Sequence, residues 1–158
     1  MIHEEIGDLM AQARTGSSWI GLDLGTKTIG VAVSDRLLSS ATPLHTIRRV
    51  KFSKDAEALL EVIENREIGA IILGLPRNMD GSEGPRCQST RAFGRNLASL
   101  TDLPIGYWDE RLSTVAAERA LLEADTSRKR RAEVIDHVAA GYILQGALDR
   151  AQHIRAVI

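Results

Sequence analysis

Residues 18–34 read SWIGLDLGTKTIGVAVS, two apolar runs joined by a short polar turn. The turn contains Gly25 and is brief, so the segment predicts an antiparallel hairpin with strands Ser18–Leu24 and Thr28–Ser34. One residue departs from the apolar pattern, because Asp23 stands at the carboxyl end of the first run. A carboxylate there either helps to open the turn or belongs to a functional site.

The remaining segments alternate between strand and helix patterns. A strand is expected over Ser40–Arg48, where Pro43 either places the strand at an edge or delays its start. A helix over Ser53–Arg66 has its apolar residues on one face and Ser53 as N-cap. The continuous apolar run Ala70–Leu75 is typical of a strand buried on both faces. Further along we expect a helix over Pro85–Leu100, a strand over Pro104–Trp108, a helix over Leu112–Glu123, a basic loop over Ala124–Arg131 and a long helix over Arg131–Ala151.

This order predicts an α/β fold, in which a hairpin meander and parallel strands form a mixed five-stranded sheet flanked by helices. We expect one domain over residues 17–152, preceded by an N-terminal arm (1–16) that is either a short helix or loose, and followed by a short tail (153–158). Ligands of such sheets bind outside the carboxyl ends of the strands.

The composition is that of an ordinary globular protein, with 44% apolar and 26% charged residues among 158. No apolar run approaches the roughly 20 residues that span a bilayer, and no signal peptide is evident, so no membrane partner is expected. The single cysteine, Cys87, excludes an internal disulfide and favours a reduced, cytoplasmic compartment. With no partnered histidine nearby, Cys87 is expected to be inert.

Acidic residues stand at three places that solubility does not explain. Asp23 ends a strand, Asp109 and Glu110 follow another, and Asp136 begins the apolar stripe of the last helix. Taken singly, each has a plain interpretation as a turn, a cap, an ion pair with Arg111 or a complement to the helix dipole. Together they can converge at one sheet edge, where mutual repulsion would favour a bound Mg²⁺ or Mn²⁺. Such sites hydrolyse phosphodiesters.

Four motifs in order resemble the YqgF/RuvX family of the RNase H-like superfamily. They are Asp23-Leu-Gly-Thr-Lys-Thr-Ile-Gly-Val-Ala32, Gly74-Leu-Pro-Arg-Asn-Met-Asp-Gly81, Trp108-Asp-Glu-Arg-Leu-Ser-Thr114 and Ile135-Asp-His-Val-Ala-Ala-Gly-Tyr-Ile-Leu-Gln145. The resemblance covers Trp19 to Asp149. It implies an RNase H-like fold and a nuclease that matures the 5′ end of 16S rRNA or, by analogy, resolves Holliday junctions.

Carried over by position, the resemblance makes Asp23, Glu110 and Asp136 the metal-binding acids. Asp109 is the alternative to Glu110, because strand alternation allows only one of the two to face the site. In junction resolvases a further acid follows the fourth strand, whereas this chain has Gly74-Leu-Pro-Arg77 there. The metal count is therefore left open. His137 lies about 100° around the helix from Asp136 and is not expected to be catalytic.

Cationic residues near these motifs are expected to bind the substrate backbone. They are Lys27, Arg77, Arg111, and the run Arg128, Lys129, Arg130 and Arg131, although a charge run is often only a solvated surface. Backbone amides at Gly25 and Thr26 could contact phosphate, and the loop 76–85 either positions substrate or simply connects two elements. The expected partners are nucleic acid and ribosomal precursor particles, with the protein a monomer or weak homodimer.

Two other functions compete with the nuclease. The segment Asp23-Leu-Gly-Thr-Lys27 is also similar to the phosphate loop of actin-like ATPases and sugar kinases, but the chain has residues for one such lobe only. A non-catalytic RNA-binding assembly factor would need the basic residues and not the acids. Metal-dependent cleavage that is lost when Asp23 is changed distinguishes the enzyme from the assembly factor.

Overall fold

The computed structural model describes residues 1–112 and 128–157, and for residues 128–136 the backbone alone. The described strands are β1 (Ile2–His3), β2 (Ser18–Leu24), β3 (Thr28–Ser34), β4 (Ala41–Arg48), β5 (Ile68–Leu75) and β6 (Ile105–Asp109). The described helices are α1 (Ile6–Gln12), α2 (Phe52–Asn65), α3 (Pro85–Ala98) and α4 (Arg128–Ala156), and one 3₁₀ turn, Glu110–Leu112, follows β6.

The strands form one mixed sheet in the order β1-β6-β5-β2-β3-β4. The pairs β2–β3 and β3–β4 are antiparallel, and β2–β5, β5–β6 and β1–β6 are parallel. The predicted mixed architecture is confirmed, as is the edge position of β4 with Pro43. The predicted count of five strands is wrong by one, because the N-terminal arm contains β1, a strand of only two residues, in addition to a short helix, α1.

Helices cover both faces of the sheet. On one face α2 and α3 pack on the side chains of Leu22, Leu24 and Leu73, and this core includes Cys87 and Phe93. On the other face α4 and α1 cover a second core that contains Trp19, Ala32, Ile72 and Trp108. The sheet is therefore the middle of three layers, as the buried run of β5 predicts.

Glycines let α4 lie close to the sheet. A Cβ atom at Gly21 would lie 2.6 Å from Cβ of Leu144, and one at Gly74 would lie 2.4 Å from Cδ1 of Ile143. Conversely, a Cβ at Gly146 of the helix would lie 2.6 Å from the indole of Trp108. These contacts fix the height of α4 above β2, β5 and β6.

Several predicted boundaries are wrong, and the last helix, predicted over Arg131–Ala151, extends further at both ends and takes up part of the predicted tail. Helix α2 begins at Phe52 with Lys51 as N-cap, so Ser53 is already helical. Helix α4 begins at Arg128, so the residues Arg128 to Arg131 belong to its first turn and not to a loop. A basic run can occupy an exposed helical turn as readily as a loop, which is why composition did not separate the two. The helix predicted over 112–123 lies, after Leu112, outside the described residues, as does the stretch 124–127.

The N-terminal residues are integrated into the fold. Ile2 pairs with Ile105 of β6, and Ile6 and Leu9 of α1 are buried in the core beneath α4. None of the helices in the described ranges is long and apolar enough to cross a bilayer.

Candidate functional site

Asp23 is a buried carboxylate at the carboxyl end of a central strand. Its exposed fraction is 3%, and β2 has β5 on one side and β3 on the other. The position of Gly21 beneath Leu144 shows which face the alternating side chains of β2 take, so Asp23, two residues later, points to the α4 side. A carboxylate in such a place is costly unless hydrogen bonds or a cation compensate for its lost hydration.

A row of residues runs from Asp23 across the hairpin to the edge strand. Asp23 pairs with Gly30 of β3, and Gly30 pairs with Thr46 of β4. Helix α4 meets this row directly, because Nδ1 of His137 lies 3.0 Å from the hydroxyl oxygen of Thr46. The helix is therefore anchored at the level of Asp23.

Asp136 precedes His137 on α4, which places its backbone at the same edge of the sheet. Helix α4 runs antiparallel to β2, because Ala140 and Leu144 lie over Gly21 while Arg155 lies beside Trp19 at the start of the strand. Asp136 is thus near the end of the helix that lies over the carboxyl end of β2, in the third turn rather than the first. The side chain of Asp136 lies outside the described part of the structure.

The two adjacent acids at the end of β6, Asp109 and Glu110, have different surroundings. Asp109 is the last residue of β6 and pairs with Leu75, and its carboxylate is bound by the Arg111 guanidinium at 2.7 Å and by the Arg111 N–H at 3.0 Å. Glu110 begins the 3₁₀ turn and is buried, with 9% of its surface exposed. Trp108, two residues before Glu110, packs against Gly146 of α4, on the same face as Asp23.

The electrostatics of Asp109 agree with a structural ion pair. Burial alone would raise the pKa of Asp109, but the hydrogen bonds and charge of Arg111, assisted by the charge of Arg77, outweigh it and lower that pKa. The ion pair with Arg111 that the sequence left as a plain interpretation of this acid is therefore present. Because strand alternation ends at Asp109, Glu110 is oriented by the 3₁₀ turn instead.

The chemistry of the donors fits a hard divalent cation. Asp23 and Glu110 are buried carboxylates, one near the end of β2 and the other directly after β6, and these two strands are separated by β5 alone and so lie roughly 10 Å apart. Within the described side chains no three acids, histidines or cysteines form a metal cluster, and the third candidate, Asp136, has its side chain outside that set.

The predicted substrate-binding cations are in three different situations. Lys27 is exposed in the β2–β3 turn. Arg111 is committed to Asp109 and also approaches the carbonyl of Met79 at 3.4 Å. Arg77 lies 3.5 Å from Glu83, and its Nε is buried without a hydrogen-bond partner among the described residues. The side chains of Arg128, Lys129, Arg130 and Arg131 lie outside the described residues.

The loop 76–85 is held in place by hydrogen bonds within it and to α3. Within it Asp80 accepts hydrogen bonds from the N–H and hydroxyl of Ser82, and Gly81 takes a positive φ of 90°. Arg91 of α3 holds Glu83 through two hydrogen bonds of 2.6 and 2.8 Å. The loop therefore has a defined shape beside Asp109 and Arg111.

Two sequence interpretations are resolved by local contacts. The N–H of Gly25 donates to the carbonyl of Thr28 at 2.9 Å, so the turn itself uses one of the two amides, those of Gly25 and Thr26, that could contact phosphate. Cys87 is fully buried on α3, and burial, with the nearby charge of Glu83, raises the pKa of its thiol. Both effects agree with an inert cysteine.

Comparison with known proteins identifies close relatives. The model of the RuvX family, described as Holliday junction resolvase, matches residues 17–150. A Ruegeria protein (strain TM1040) called "Putative pre-16S rRNA nuclease" is 72% identical over 99% of both chains. A protein of Paracoccus denitrificans with the same name is 72% identical, over 91% of this chain and 90% of its own length.

Solved structures show the same fold at low sequence identity. Thermus thermophilus RuvC, solved in complex with a Holliday junction, superposes with a TM-score of 0.52 at 14% identity and covers 86% of this chain and 96% of its own. The same protein in a second structure gives 0.52 at 13% identity. The predicted RNase H-like fold is confirmed.

Proposed function

The chain belongs to the RuvX family of Holliday junction resolvases and is a nuclease, a hydrolase of phosphodiester bonds, and from this we propose a metal-dependent endonuclease of pre-16S rRNA. It would act in the cytoplasm, on the 5′ end of the precursor, during ribosome biogenesis. The names of relatives that match over nearly their whole length support the rRNA substrate.

One observation carries the catalytic part of the proposal. The buried Asp23 lies at the carboxyl end of β2, in a row of paired residues that α4 contacts through His137. This contact brings the backbone of Asp136 to the same edge. A fold that buries one acid and brings the backbone of a second acid to the same sheet edge favours a cation site over a solvated surface.

We assign Asp23, Glu110 and Asp136 as the residues that hold Mg²⁺ or Mn²⁺. When bound, the cation would activate water and stabilise the leaving oxygen of the phosphodiester. The chain supplies rigidity, because Asp23 is fixed by strands on both sides and Glu110 by the turn that follows β6. Asp109 instead holds Arg111, which keeps that guanidinium beside the loop 76–85.

Lys27 is assigned to the substrate backbone. It is exposed in the turn that directly follows β2, so its ammonium can reach a phosphate near Asp23 without breaking a described contact. We also propose this role for the basic first turn of α4, Arg128 to Arg131, because cationic side chains bind the phosphates of nucleic acid. The affinity of such contacts should fall as the salt concentration rises.

The test compares three labelled substrates: a 16S precursor 5′-leader RNA, a four-way DNA junction and a single-stranded DNA. Each is incubated with Mg²⁺, Mn²⁺ or EDTA and with wild type, Asp23→Asn or the control Asp102→Asn. Asp102 is an exposed acid in the loop before β6. We expect wild type and Asp102→Asn to cut the RNA with either metal, and Asp23→Asn to lose at least about a hundredfold in rate.

Other outcomes identify the alternatives. Preferential cutting of the junction would replace the rRNA substrate with structured DNA while keeping the acids in place. RNA binding without cleavage of any substrate would overturn the enzyme and leave a non-catalytic assembly factor.

A further inference from the structure

A second cleft lies on the opposite side of the β2–β3 turn from Asp23. Its volume is about 550 Å³, and it is an open cleft lined by the turn, by the segment before α2 and by the first turns of α2 and α3. We call it the basic cleft; its lining comprises Leu24, Gly25, Thr26, Arg49, Val50, Lys51, Phe52, Asp55, Pro85, Arg86, Ser89 and Thr90. Leu24 belongs to the core under α2 and α3, so the cleft and Asp23 occupy opposite faces of one sheet edge.

The cleft is positively charged. Arg49, Lys51 and Arg86 line it, and Asp55 is its one acid among these lining residues. That acid is turned inward: its side chain is 3% exposed, and it accepts a hydrogen bond from the N–H of Val50 at 3.0 Å. Asp55 lies 3.8 Å from Nε of Arg49 and so offsets only part of one cation. An anion in the cleft would therefore meet a net attraction.

Two arginines reach the same turn from opposite walls. Arg49 donates to the carbonyl of Gly25 at 2.6 Å, and Arg86 donates to the neighbouring carbonyl of Leu24 at 3.4 Å. Arg49 is further held over the ring of Phe93, 5.8 Å from its centroid. A guanidinium has five N–H donors. The described contacts use few of them, which leaves donors on both walls for a ligand.

The helices add donors to the same walls. Both α2 and α3 begin at the cleft, and neither has a side-chain cap at its N-terminus. Uncapped first-turn N–H groups and the helix dipole complement the cationic side chains, and both favour a group with several acceptor oxygens. A phosphate satisfies that requirement, since guanidinium groups bind it through paired hydrogen bonds.

We propose that the basic cleft binds a phosphate of the nucleic-acid strand that the enzyme cuts, at a distance from the scissile bond. This inference rests on the proposed function. The β2–β3 turn separates the cleft from Asp23, so a strand held at both places would cross the turn and pass Lys27. The cleft would thereby fix the direction in which the substrate enters the site.

The test measures binding apart from chemistry. A labelled 5′-leader RNA is titrated in EDTA, at several salt concentrations, with two proteins. The parent carries Asp23→Asn alone, and the cleft variant carries Asp23→Asn together with Lys51→Gln and Arg86→Gln. The matched control instead adds Lys54→Gln and Arg95→Gln, which also remove two charges, from exposed positions of α2 and α3 outside the cleft. We expect the cleft variant to bind five- to twentyfold more weakly and its log–log salt slope to fall by about 0.7 for each lost contact.

The outcomes are separate from those of the cleavage assay. Unchanged affinity and slope in a cleft variant that keeps the melting temperature of its parent would overturn the proposal, whether or not wild type cuts RNA. Small phosphate compounds are the alternative ligands of the cleft. Their binding is measured by calorimetric titration of inorganic phosphate and of ATP into wild type. Tight ATP binding that Lys51→Gln with Arg86→Gln abolishes, with RNA affinity unchanged, would replace the strand with a nucleotide.

Discussion

The imidazole of His137 and the hydroxyl of Thr46 lie 3.0 Å apart and join α4 to the edge strand β4. Thr46 is in register with Gly30, and Gly30 with Asp23, so this contact holds α4 in the same row of residues as the buried acid. The sheet and the helix thus meet by a polar contact at the site edge and by apolar packing farther along.

Removing that contact should loosen the start of α4. We expect Thr46→Val to lower the free energy of unfolding by about 0.5–1.5 kcal/mol, the usual net value of one hydrogen bond. Cleavage should fall more than stability suggests, because Asp136 is the neighbour of His137. Urea denaturation and the RNA cleavage rate measure the two effects. Thr42→Val, at an exposed position on the same strand, is the control; equal effects at both positions would contradict the assigned role.

The two adjacent acids after β6 should differ in function. We expect Glu110→Gln to lose cleavage nearly as completely as Asp23→Asn, since both remove a proposed metal ligand. Asp109→Asn should retain cleavage within about tenfold, because the lost ion pair with Arg111 acts on the loop and not on the reacting atoms. Rates at saturating Mg²⁺ decide between them. The opposite ranking would make Asp109 the metal ligand.

Acid should remove the contribution of Asp109 to stability. Its pKa is lowered in the folded state, so the carboxylate stabilises the fold at a pH above its unfolded value of about 3.9, and this contribution is lost as pH falls through the folded pKa. Wild type should therefore exceed Asp109→Asn in unfolding free energy at pH 6, and the difference should shrink towards pH 3. A difference that grows on acidification would show that the sign is wrong.

The close approach of α4 to the sheet should make Gly21 intolerant of a side chain. A Cβ there would lie 2.6 Å from Cβ of Leu144 and 3.1 Å from the carbonyl of Ala140, and neither atom is the end of a flexible side chain. We expect Gly21→Ala to cost about 1–3 kcal/mol of unfolding free energy. Gly7→Ala is the control, since its nearest neighbour would be 3.8 Å away and alanine favours the interior of α1.

The sequence predicts the parts of this fold that have a pattern long enough to recognise. The hairpin around Gly25, the buried strand β5 and the amphipathic helix α2 all follow from periodicity. Strand β1 does not, because two residues carry no alternation and are recruited only by the free edge of β6. The six-stranded sheet therefore depends on tertiary contacts.

Part of the candidate site also follows from the sequence pattern, and part depends on the folded chain. Asp23 was evident because a charge inside an apolar strand needs a reason. Asp109 and Glu110 could not be separated, since the end of β6 and the ion pair with Arg111 are set by the folded chain. The sequence does not predict the basic cleft, because Arg49 and Lys51 precede α2 whereas Arg86 belongs to α3, and only the folded chain brings these distant segments together.

Cys87 gives the unmodified protein its own reporter of local opening. It is the one cysteine of the chain, it is fully buried, and it lies in the first turn of α3, directly behind Arg86. A thiol reagent can reach it only when that turn separates from β5, so the labelling rate measures how often this wall of the cleft opens. A ligand that binds the cleft and stabilises the start of α3 would thus slow the labelling of Cys87, and no introduced probe is needed to detect it.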